Sequence, residues 1–66
     1  MWDLLRVQPM EPNELLGKFP SEDEAIEVMS SANEPPGTFL MIASEDTIHW
    51  TTESGKLERV SYPLHR

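Results

Sequence analysis

Ser21 and Glu24 stand three residues apart at the head of an apolar stripe with helical spacing. The pair is a capping box: the serine hydroxyl can accept from the N–H at 24, and the glutamate carboxylate can answer the N–H at 21. Behind it Ala25, Val28, Met29 and Ala32 fall at i, i+3, i+4 and i+7, with Ile26 flanking, which makes one buried stripe. Glu22, Asp23 and Glu24 suit the positive end of the helix dipole, and Asp23, Glu27 and Ser30 face away from the stripe. The run Glu34-Pro35-Pro36-Gly37 forbids continuation, so the helix ends near Asn33.

The rest of the chain reads as strands and turns. Residues 2–8 form a strand with Leu5, Val7 and Asp3 on one face and Trp2, Leu4 and Arg6 on the other, ended by Pro9 and Pro12. Residues 9–20 read as a connection with one helical turn at Asn13-Glu14-Leu15-Leu16, closed by Gly17. Residues 38–44 are a strand that is apolar almost throughout, and Glu45-Asp46 is a short polar turn. Residues 47–52 alternate, with Ile48 and Trp50 against Thr47, His49 and Thr51. Glu53-Ser54-Gly55-Lys56 suits a type I turn with its glycine in the left-handed position. Residues 57–62 set Val60 and Tyr62 against Arg59 and Ser61, and Pro63 ends the strand. The expected fold class is α+β, a small β-α-β-β-β domain over 1–66. Its sheet is mainly antiparallel, with a three-stranded C-terminal meander, one helix on one face and the N-terminal strand at an edge.

One feature resists that outline. A single helix covers one sheet face, yet residues 39–43 are apolar on both sides, and residues 2–7 nearly so. Strands of this kind are usually buried on both faces. Trp2, Phe39 and Met41 are therefore the candidate interface residues. The missing cover is the 9–20 loop with Leu15, Leu16 and Phe19, a second copy of the chain, or another protein.

Size sharpens the question. A chain of 66 residues buries only about 60% of the surface its unfolded form exposes, so its core is thin. The usual staples are disulfides, a metal or a partner subunit. With no cysteine, disulfides and thiolate metal sites are excluded, and self-association gains weight. The formal net charge of −7 repels nucleic acid and anionic membranes, so no direct nucleic-acid or membrane partner is expected, whereas a basic partner would suit it. No targeting segment is legible and the longest apolar run, 39–43, is far too short for a bilayer, so a soluble, cytoplasmic chain is expected.

The residues give chemistry little to work with. His49 sits in a strand and His65 beside the C-terminus, neither in the context of a nucleophile and an orienting group. The acids at 22, 23, 24 and 27 lie in a helix rather than a loop of calcium-binding spacing. Gly17-Lys18-Phe19-Pro20 lacks the glycines of a phosphate loop, and three acids follow it. Lys56 and Arg59 are the only close basic pair. The expectation is a non-catalytic protein-interaction module without a cofactor or metal, a small acidic homodimer or an accessory or regulatory subunit. The alternative is an acidic inhibitor or nucleic-acid mimic that occupies a basic site on a nucleic-acid-binding enzyme. It would use Glu22, Asp23, Glu27 and Glu34, with Glu45 and Asp46 nearby.

Overall fold

The structure, a computed structural model, describes residues 1–32 and 34–64. His65 lies outside them. The elements run β1 (Trp2–Val7), β2 (Glu14–Phe19), α1 (Glu22–Ser31), β3 (Phe39–Ser44), β4 (Thr47–Thr51) and β5 (Glu58–Pro63). All strands join one antiparallel sheet in the order β2-β1-β3-β4-β5, with α1 against β1, β2 and β3. The α+β class, the single helix and the C-terminal meander are as the sequence reading has them.

The first hairpin differs from that reading. The 9–20 connection holds β2 instead of a helical turn, and β1 lies between β2 and β3 instead of at an edge. The physical reason is that a single four-residue turn, in the stretch between Pro12 and Pro20, cannot repay the cost of starting a helix. A turn at residues 8–11 sends the chain back along β1: the Glu11 N–H meets the Gln8 carbonyl at 3.5 Å, and Met10 takes a φ of 59°. The adjacent leucines fit no two-residue alternation. They are absorbed by a bulge, since Leu5 pairs with Leu15 and Leu4 with Gly17, leaving Leu16 as the extra residue. Gly17 is therefore a strand glycine, and the Phe19 ring lies so near that a Cβ at 17 would meet it at 3.3 Å.

The helix begins where the capping box puts it. The Glu24 N–H donates to Ser21 Oγ at 3.3 Å, and Ser21 has extended backbone. At the other end the chain turns extended at Ala32, whose N–H closes on the Met29 carbonyl at 3.3 Å. Ser21→Ala is expected to cost about 1 kcal/mol. Thermal melts would check this, and an unchanged midpoint would mean that the cap is idle.

The core lies between helix and sheet. Ala25 and Met29 meet Leu4, Leu40 and Ile42, with Trp2, Phe19, Ile26, Trp50 and Leu57 packed around them. The buried stripe is narrower than its sequence spacing, for Val28 is 42% exposed. Gly55, at φ 95°, closes the turn before β5, where its N–H donates to the Thr52 carbonyl at 2.9 Å.

Candidate interaction surface

Strand pairing assigns each side chain to a face, because directly opposed residues share one and neighbours along a strand alternate. Leu4 and Ile42 pair under the helix, as does Trp50 opposite Ile42. The opposite side therefore carries Leu5, Val7, Phe39, Met41 and Ala43 from the two central strands. Leu15 joins them from β2, Ile48 and Thr51 from β4, and Glu58 and Tyr62 from β5. No helix and no second sheet lies over this side among the described residues. The 9–20 segment extends the sheet sideways and does not fold across it, so the loop cover weighed above is absent.

Exposure across this face is graded. Met41, Ala43 and Thr51 at its centre are 7%, 2% and 7% exposed, shielded by their own neighbours, while Leu15 and Tyr62 at its margins reach 49% and 56%. Leu5, Val7, Phe39, Ile48 and Val60 are half-buried. A shallow depression between β4 and β5 is lined by Thr51, Ser54, Val60 and Tyr62 together with the acids Glu53 and Glu58. Charge is sparse. Lys18 Nζ stands 3.9 Å from Asp3 Oδ1, beyond hydrogen-bond reach, and Glu58 accepts from Ser54 Oγ at 2.8 Å.

The structure separates the interface candidates. Phe39 and Met41 share the open side, but Trp2 lies under the helix with Leu4, its ring edge-on to His49 at 5.0 Å. His49 reaches that ring because β4 carries a bulge. Ala43 pairs with Ile48 and Ile42 with Trp50, so Ile48 and Trp50 lie on opposite faces and the expected grouping of the two is corrected. Neither bulge leaves a signal in residue-type alternation.

The acidic candidates separate too. Trp50 Nε1 donates to Glu22 Oε2 at 3.0 Å, and Arg59 lies over the Trp50 ring at 5.9 Å. Glu34 is clasped by Arg6 through Nε and through Nη2 at 3.3 Å, while Arg6 Nη1 reaches Glu14 at 3.1 Å. The hydrogen bond to Glu34 above all raises the Arg6 guanidinium above its ordinary value; partial burial opposes the rise, and Glu14 adds to it. A raised pKa on a cation contributes stability that is lost as pH rises through the folded value, so the Arg6 side of this cluster keeps its charge up to strong alkali. Asp23 and Glu27 remain exposed on the helix, while Glu45 and Asp46 form the β3–β4 turn.

A cleft of about 380 Å³ opens beyond the end of α1, over Met29, Leu40 and Leu57. Its charged lining among the described residues is Lys56 and the already clasped Glu34. Among the described residues, no group of three or more histidine or carboxylate side chains is placed to hold a metal ion. No helix among them is long and apolar enough to cross a membrane. The chain matches no family model, no curated protein and no solved structure.

Proposed function

We propose that this chain is a non-catalytic protein-interaction module whose working surface is the open face of the sheet. The observation that carries the reading is the single covering layer: one helix lies on one side, and a largely apolar surface centred on β1, β3 and β4 lies on the other. Its occupant is a protein surface of the same chemistry, flat, apolar and poor in charge, since burying Leu5, Phe39 and Ile48 against charged groups would strand those groups without water. The acidic-mimic alternative draws less support from the geometry, because Glu22 and Glu34 are engaged within the chain.

The two readings use opposite sides of the molecule. A neutral solvatochromic dye such as Nile red, added to protein diluted until light scattering shows single chains, is expected to brighten on the wild-type chain. The brightening is expected to be several-fold weaker on Leu15→Glu/Tyr62→Glu and unchanged on Asp23→Lys/Glu27→Lys, with far-UV circular dichroism reporting the fold. No brightening on the wild-type chain, or an equal response from all three, would overturn the open-face reading.

A further inference from the structure

We infer that the occupant of the open face is a second copy of this chain, packed sheet to sheet about a two-fold axis lying across the strands. The inference rests on the open-face reading and adds the partner's identity.

Area is the first argument. Five strands about 4.8 Å apart, each some six residues of about 3.3 Å, present a face of roughly 24 by 20 Å. Two such faces bury about 1,000 Å² before side-chain relief is counted, the threshold of a specific interface. The thin core of a small chain gives such burial a large share in stability.

Charge placement is the second. A chain of net charge −7 repels its own copy unless its acids lie away from the contact. Of the acids, Asp3 and Glu58 project from the open face, where Lys18 lies beside Asp3, and Glu53 lines the depression next to Glu58. Glu22, Asp23, Glu24 and Glu27 are on the helix, behind the sheet. In a sandwich with sheets about 10 Å apart and each helix about 10 Å further out, the two acidic helices are about 30 Å apart. That is several times the screening length of about 8 Å at physiological salt.

Shape is the third. The open-face side chains of central β3 taper from Phe39 through Met41 to Ala43. β3 lies in the middle of the sheet order, so a two-fold axis across the strands lays β3 on its copy in the reverse direction. Each Phe39 then lies over the Ala43 end of the other copy's β3, where Ala43 is 2% exposed beneath its neighbours, so the tall end of one strand faces the low end of the other.

Light scattering behind size-exclusion chromatography, over a concentration series at low and high salt, tests this. The expected result is twice the 7.6 kDa chain mass, held or strengthened as salt rises because screening weakens the net repulsion. Leu15→Glu/Tyr62→Glu is expected to give a folded monomer, and Val28→Glu on the exposed helix to leave the dimer intact. A monomer at every concentration that still brightens the dye would overturn the second copy and leave the open-face reading standing. A dimer that survives the charged pair on the sheet but dissolves with Val28→Glu would overturn both.

Discussion

Ile42→Ala is expected to be the most damaging conservative truncation in this protein. Ile42 is 0% exposed, pairs with Leu4 on one side and Trp50 on the other, and faces the helix at the centre of the core. Removing three carbons there forfeits transfer free energy and opens a hole, since the flanking ladders hold the backbone in place. The cost of such changes is about 2–5 kcal/mol. A domain of this size is worth only roughly 3–10 kcal/mol in total, so the variant is expected to melt some 10–30 °C lower or to be largely unfolded. Ile42→Val, which removes one methyl, is expected to cost about 1 kcal/mol. Urea titrations of both variants decide the matter. A truncation to alanine costing no more than that to valine would mean that the helix is not seated on this face.

The second large effect has the opposite sign. Met10 holds φ at 59° in the turn after β1, following Pro9, and is fully exposed. Glu45 and Asp46, at φ 53° and 63°, form the two-residue connection between β3 and β4, the geometry of a type I′ turn. A non-glycine side chain in this region costs roughly 1–2 kcal/mol. Glycine removes that cost at 10 but frees the unfolded chain, which returns part of the gain. Asparagine at 45 tolerates the conformation without that loss. Met10→Gly with Glu45→Asn is therefore expected to add about 1–2 kcal/mol, near the sum of the single variants because the two turns lie at opposite ends of the sheet. The urea midpoint is expected to rise at an unchanged slope. A fall at either site would show that its side chain holds something in place.

These turns mark where the sequence was readable and where it was not. The helix was legible because its cap, apolar stripe and stop signal are each local. The meander was legible because polar turns and a glycine separate its strands. The edge strand β2 was not, since Glu14-Leu15-Leu16-Gly17 has neither alternation nor strongly strand-forming residues, and it is extended because β1 offers it partners. The side of Trp50 was misjudged against Ile48 for a related reason: a bulge inserts one residue into the pairing and leaves no mark on composition. The candidate surface was half legible. Two-sided apolar strands announced an extra buried face, but which of Trp2, Phe39 and Met41 belonged to it depended on the central position of β1.

That central position also sets an order of events for the folding chain. β1 with β2, β3 with β4, and β4 with β5 are each hairpins of neighbours in sequence, quick to close. Among the described residues, only the pairing of β1 with β3 joins distant segments, across the whole of β2 and α1. It turns two separate ribbons into one sheet and builds the floor on which Ala25 and Met29 rest. Closing that loop is the entropic summit of the route. Truncations at Leu4 and Leu40 are therefore expected to slow folding in proportion to the stability they remove, while Ile48→Val speeds unfolding instead. Stopped-flow rates that placed the slowing in the β4–β5 hairpin would put the summit elsewhere.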